Sequence, residues 1–104
     1  MNNQSVTPSE NPEETPGETP VIEIYTSPFC GYCSYAKGLL DRKGVEYKEL
    51  DVMMAPDLRQ EMTSRSGGKT SVPQIFFDDQ LIGGCDELVA LEQAGTLDAK
   101  LGLT

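Results

Sequence analysis

Two cysteines separated by two residues, Cys30 and Cys33, stand between an apolar pentapeptide and a stretch of helical periodicity. No other feature of this chain limits its fold so tightly. The pentapeptide, Val21-Ile22-Glu23-Ile24-Tyr25, reads as a short buried strand. From the cysteines to about Lys43 the spacing predicts a helix whose apolar face carries Tyr32, Ala36, Leu39 and Leu40, with Gly44 as its stop. Cys30 is therefore expected in a strand-to-helix turn, at or just before a helix N-terminus. The first N–H groups of a helix lack intrahelical partners, and that end carries roughly half a positive charge. Both favour a thiolate, the nucleophilic form of cysteine. Cys33, one turn later, is placed to close a disulfide on whatever Cys30 has attacked.

The C-x-x-C spacing alone suits either a dithiol redox pair or half of a zinc site. A structural zinc takes four protein ligands, and this chain has no His and only one further cysteine, Cys85. Three cysteines are an odd count, too few for a disulfide framework. A strand before the pair and a helix after it favour redox chemistry over zinc or two inert thiols. No metal is expected for the exchange chemistry itself.

Charge excludes other classes. The formal net charge is −9; residues 1–20 hold four acidic groups and no basic ones, which leaves −5 on the remainder. An acidic chain without a basic stripe is a poor partner for nucleic acid or for an anionic membrane surface. No apolar run approaches the roughly 20 residues of a membrane span, and the N-terminus lacks the pattern of a signal peptide. A free dithiol without an export signal points to a cytoplasmic, reducing setting.

Residues 1–20, rich in Pro, Glu, Ser, Thr and Asn, predict a disordered acidic tail, and residues 21–104 a single domain. Val45 to Leu50 predicts a second strand, parallel to the first across the helix. Pro56 opens a second helix whose buried side carries Ala55, Leu58 and Met62, ended by Gly67 and Gly68. Gln74 to Phe77 is a third strand, Asp78-Asp79-Gln80 a turn, and Leu81 to Gly83 an antiparallel fourth. Gly84-Cys85-Asp86-Glu87 opens a third helix with Leu88, Leu91 and Val89 inward and Gly95 beyond its end. Leu97 to Leu101 adds a short last turn. The fold class is α/β: a four-stranded mixed sheet, helices on both faces, in the order β-α-β-α-β-β-α. The cysteine motif sits at the C-terminal end of the first strand, where such sheets place their ligands.

Three separated segments, Cys30-Gly31-Tyr32-Cys33, Ser71-Val72-Pro73 and Gly83-Gly84-Cys85-Asp86, resemble those of the glutaredoxins, members of the thioredoxin-fold superfamily. The likeness covers about Val21 to Leu101. Thioredoxin is a poorer match, because its family carries a Trp before the first cysteine and this chain has none. The resemblance implies a thioredoxin-like fold and a glutathione-dependent thiol–disulfide oxidoreductase. Its catalytic pair would be Cys30 and Cys33, and its substrates glutathionylated or disulfide-containing proteins. It also implies a cis Pro73, leaving the Val72 backbone beside Cys30 to pair with an extended ligand as an added strand would. Gly84 lets a ligand approach the helix start, where the N–H groups of Cys85 and Asp86 would hold a carboxylate. The Asp86 carboxylate would pair with the ligand's ammonium group; a plain helix cap is its alternative. Arg59 matches the position that meets the glycine carboxylate of glutathione, and Tyr32 would wall the site. Read without the family, Val72-Pro73 is a strand start, Arg59 a solvated helix residue and Tyr32 ordinary packing. Cys85 is either a minor redox site or a buried, inert thiol.

The departures from the family also carry information. Ser27 stands where many glutaredoxins have Lys, and Lys69 is a candidate substitute. Ser71 stands where Thr is usual. Gly31 replaces the usual Pro, a change associated with members that hold a [2Fe–2S] cluster between two protomers. Under that alternative Cys30 and glutathione would be cluster ligands across a dimer; otherwise a monomer is expected.

Overall fold

The structure is a computed structural model describing residues 19–103. The tail assigned to residues 1–20 therefore lies, apart from Thr19 and Pro20, outside the described residues. The elements are β1 (Ile22–Thr26), α1 (Gly31–Arg42), β2 (Lys48–Asp51), α2 (Pro56–Arg65), β3 (Gln74–Phe77), β4 (Gln80–Gly83), α3 (Cys85–Gln93) and α4 (Leu97–Lys100). The expected order is present, with α4 as the short last turn. The sheet order is β2-β1-β3-β4. β1 runs parallel to β2 and antiparallel to β3, and β4 closes an antiparallel hairpin on β3.

Strand alternation sorts the core into two layers. Ile22, Ile24, Ile75 and Phe77 face one side, against Ala36, Leu39 and Leu40 of α1, Leu88 of α3 and Leu97 of α4. Tyr25 and Phe76 point to the other side and meet Val52 and Met62, with Leu58 of α2 packed alongside. A two-residue period along strands makes this division automatic once both faces are covered.

Several boundaries move for physical reasons. Val21, expected to open β1, is 67% exposed; its N–H and C=O are taken by the Asp78 carboxylate and N–H at 2.8 Å each. β2 begins at Lys48, so Val45 and Tyr47 pack on the α1 side from a loop. The hairpin turn contains only Asp78 and Asp79, at φ 50° and 67°. Two consecutive left-handed residues match the strand twist, so Gln80 already belongs to β4. On α1, the buried face consists of Cys33, Ala36, Leu39 and Leu40. Tyr32, expected on that face, is 68% exposed. With Cys33, Ala36 and Leu40 turned inward, Tyr32 falls at the margin of that face, in the first turn where the helix reaches solvent.

Arg65 ties α2 to the sheet. Its guanidinium donates to Tyr25 Oη at 2.7 Å, Glu23 Oε1 at 2.8 Å and Asp79 Oδ1 at 3.0 Å. It also lies 4.1 Å from the Phe76 ring centroid, within cation–π range. The Tyr25 hydroxyl donates to Glu61. One side chain thus joins α2, β1, β3 and the hairpin turn.

Leu40 is completely buried, whereas Tyr35 on the same helix is exposed. Leu40→Ala is expected to lower unfolding free energy by about 2–5 kcal/mol. Tyr35→Ala should stay within roughly 0.5 kcal/mol. Urea denaturation of the reduced protein measures both.

Candidate active site

Cys30 is the N-cap residue of α1, with extended backbone angles (φ −110°, ψ 109°). The turn that delivers it passes through Phe29, a fully exposed aromatic with φ 61°. A left-handed backbone at a bulky residue is uncommon and costly, and here it adjoins Cys30. The Cys30 Sγ accepts the Cys33 N–H at 3.2 Å, as a capping side chain does. It also lies 3.9 Å from the Val72 carbonyl. Part of Cys30 reaches solvent, whereas Cys33 is 1% exposed.

The two sulfurs thus occupy different environments. Burial pushes the Cys33 thiol up to about 12, and its hydrogen bond with Cys30 adds to that; the Ser27 N–H and the Lys37 charge act in the opposite sense. Cys33 is accordingly a neutral thiol in reserve beneath a partly exposed one.

Opposite Cys30 the chain runs Ser71-Val72-Pro73, with the Val72–Pro73 bond cis. The buried Gln74 side chain braces this loop by donating to the Ser71 carbonyl at 3.0 Å. The start of α3 packs against it: a Cβ on Gly84 would lie 3.3 Å from the Pro73 carbonyl oxygen. The Gly84 N–H donates to the Glu87 carboxylate at 2.7 Å. A cleft of about 380 Å³ opens between these segments, lined by Tyr32, Lys69, Ser71, Val72, Pro73, Gly84, Cys85 and Asp86 among others. It continues into a groove between α1 and α3, where Tyr32, Cys85 and Asp86 are joined by Tyr35 and Val89.

Seven of the ten residues singled out from sequence, Tyr32, Ser71, Val72, Pro73, Gly84, Cys85 and Asp86, therefore meet in one cleft, and Cys30 Sγ lies 3.9 Å from the carbonyl of one of them, Val72. Arg59 departs from expectation. It is not among the lining residues, and its guanidinium donates to the Thr70 carbonyl at 3.2 Å. A cation already bonded to the loop steadies that loop from α2, and Lys69 is the cation in the cleft. Asp86 lies inside the first turn of α3 and Gly84 is the N-cap, so the capping role set against Asp86 falls to another residue. Cys85 is buried, and its thiol is raised by burial first and by Asp86 next. Sequence reasoning missed Gln74 and Glu87. Glu87 stands at the third helical position, the acidic place of a capping box, which was the signal available.

The glutaredoxin family model matches residues 22–82. The chain belongs to the glutaredoxin family. A glutaredoxin of Pseudomonas aeruginosa is 50% identical over 82 residues, covering 79% of this chain and 96% of its own. The solution structure of glutaredoxin from Brucella melitensis is 49% identical, with a TM-score of 0.72 over 86% of this chain and 96% of that one. A buckwheat glutaredoxin–glutathione complex superposes with a TM-score of 0.71 at 26% identity, covering 83% of this chain and 80% of that one. The family is one of thiol oxidoreductases that use glutathione, and this chain carries a cysteine pair at the head of α1. Its thioredoxin-like sheet agrees with these neighbours. No helix among the described residues is long and apolar enough to cross a membrane.

Of the three cysteines Cys30 is partly exposed and Cys33 and Cys85 are buried, and among the described residues no group of three or more His, Cys, Asp or Glu is gathered.

Limiting iodoacetamide at pH 7 is expected to label Cys30 well before Cys33 in the reduced protein, read by peptide mass spectrometry. The raised Cys33 thiol also links to stability. The folded state holds that proton more tightly than an ordinary thiol of pKa 9.0, so the stabilisation is complete below pH 9 and is lost as pH rises toward 12. The urea midpoint should fall over that interval, and Cys33→Ala should remove part of the fall.

Proposed function

We propose that this glutaredoxin reduces glutathione mixed disulfides through Cys30, with Cys33 as the resolving thiol. The observation that carries the reading is the contrast between the two sulfurs at the head of α1: one partly exposed and held by a helix N–H, the other buried. The Cys30 thiolate attacks the glutathione sulfur of a protein–glutathione disulfide. A Cys30–glutathione disulfide forms, and the protein sulfur leaves as a thiolate that takes up a proton. A second glutathione thiolate then attacks the bound glutathione sulfur, releasing oxidised glutathione and restoring Cys30. Alternatively Cys33 attacks Cys30, closes the intramolecular disulfide and expels glutathione; two further glutathiones reduce that disulfide.

The cleft suits a tripeptide with a charge at each end. The Val72 backbone would pair with its main chain, as an added strand does. The Cys85 and Asp86 N–H groups at the α3 N-terminus would take the γ-glutamyl carboxylate, and Asp86 its ammonium group. Lys69, in place of Arg59, would meet the glycine carboxylate, and Tyr32 would cover one wall. Ser71 contributes its backbone to the bracing of this loop. The glutathione complex of the buckwheat relative supports this reading. A free dithiol of this kind works in a reducing compartment such as the cytoplasm, and one chain is enough for the exchange.

Cys30→Ser is expected to abolish reduction of a glutathionylated peptide, while Cys33→Ser retains most of it; equal losses would overturn the assigned roles. Asp86→Ala and Lys69→Ala should each raise KM for glutathione by about tenfold, the scale of one lost charged hydrogen bond. Arg59→Ala should raise it less. Steady-state kinetics at varied glutathione separates the three.

A further inference from the structure

A chain of polar contacts begins one helical turn beyond the buried sulfur. Lys37 follows Cys33 by one helical turn, so their Cβ atoms are neighbours at roughly 5–6 Å. The Lys37 ammonium is fixed by an ion pair with Glu49 of β2 at 2.8 Å. The same carboxylate oxygen accepts the Thr26 hydroxyl at 2.8 Å. Thr26 is buried at the end of β1. Ser27 follows it in the turn that leads to the cysteines. The network therefore lies one helical turn from the thiol that must act in the second half of the exchange. The glutathione-binding residues lie elsewhere, so none of them explains why a lysine is held at this place.

We propose that Lys37, held by Glu49 and Thr26, is a positioning residue for the resolving step. Its ammonium supplies the positive charge against which the Cys33 sulfur develops its negative charge. This rests on the dithiol reading above. In the step, the Cys33 thiol gives its proton to solvent and its thiolate attacks Cys30 of the Cys30–glutathione disulfide. The Cys30–Cys33 bond forms, the Cys30–glutathione bond breaks, and glutathione leaves as a thiolate that is then protonated. Over adduct formation and closure together the dithiol is oxidised by two electrons and oxidised glutathione is reduced by two, so no further reactant enters.

The ionisable groups around Cys33 are Cys30 and Lys37 on α1 and Glu49 on β2, with Asp41 one turn beyond Lys37. Cys30 is already bonded to glutathione at this stage and carries no charge. Burial opposes charge on Cys33, and Lys37 is the cation that works against it. Lys37 in turn gains from Glu49, whose carboxyl is held below the usual range by Lys37 first and Thr26 second. The pair therefore stays charged through the working pH range, and Lys37 keeps one position.

The test is rapid-quench mass spectrometry of the reduced full-length protein mixed with oxidised glutathione, which resolves formation of the glutathione adduct on Cys30 from its closure. Lys37→Met is expected to slow closure at pH 7 by about three- to tenfold, an opposite-charge effect discounted for a side chain partly open to solvent. Its closure rate should also need a higher pH to reach half its maximum. Formation of the adduct should change far less, and Lys37→Arg should restore closure. Equal slowing of both phases, an unmoved pH profile, or failure of Arg to rescue overturns the proposal. If the unaltered protein forms no Cys30 adduct, the dithiol reading falls and this inference with it. An adduct that closes without regard to Lys37 removes the inference alone.

Discussion

The hydrogen bond from the Cys33 N–H to the Cys30 sulfur is the contact on which the rest of this molecule turns. It makes a cysteine side chain perform the task usually given to serine or aspartate at a helix start. The helix gains a cap, and the sulfur gains a main-chain donor aimed at it. The same turn of helix sends Cys33 into the sheet. One geometric decision thus creates an accessible sulfur, a buried sulfur and the short path between them. A disulfide exchanger needs this asymmetry, because two equally exposed thiols would have no order of action.

The remainder of the fold holds other groups in register with that cap. β1 carries the chain to it, and its pairing with β3 brings the Ser71-Val72-Pro73 loop opposite. β4 and Gly84 then bring the α3 N-terminus against the Pro73 carbonyl, at a distance only glycine tolerates without a shift. The sheet is wedged between two apolar layers, and Arg65 pins the second of them from outside. The cleft is therefore an edge feature of a rigid sandwich. Its parts come from segments some forty to sixty residues apart in sequence, and none of them can move without disturbing strand pairing.

Much of this was legible in the residues. Apolar periods of two and of about 3.6 located most strands and helices, because burial on a sheet face or a helix face imposes those periods; β2 was read from Val45 and Tyr47, which lie in the loop before it. The spacing of Cys30 and Cys33, set between a strand and a helix, identified the chemistry. Boundaries were less legible where side chains take over backbone partners, as Asp78 does for Val21. Tyr32 illustrates another limit. An aromatic residue next to a buried position reads as core until the rotation of the helix is known.

Sequence by itself determined the order of elements, the two-sided sheet and the place of the cysteine pair at a strand-to-helix turn, since all of these follow from local periodicity and from neighbours along the chain. Only the tertiary structure decided which cation enters the cleft. Arg59 and Lys69 are equally charged in the sequence, but the Thr70 carbonyl occupies the first and leaves the second at the opening. The network of Lys37, Glu49 and Thr26 belongs to the same class. Its members lie on α1, β2 and β1, and only the parallel pairing of the two strands under the helix brings their charges within hydrogen-bond reach.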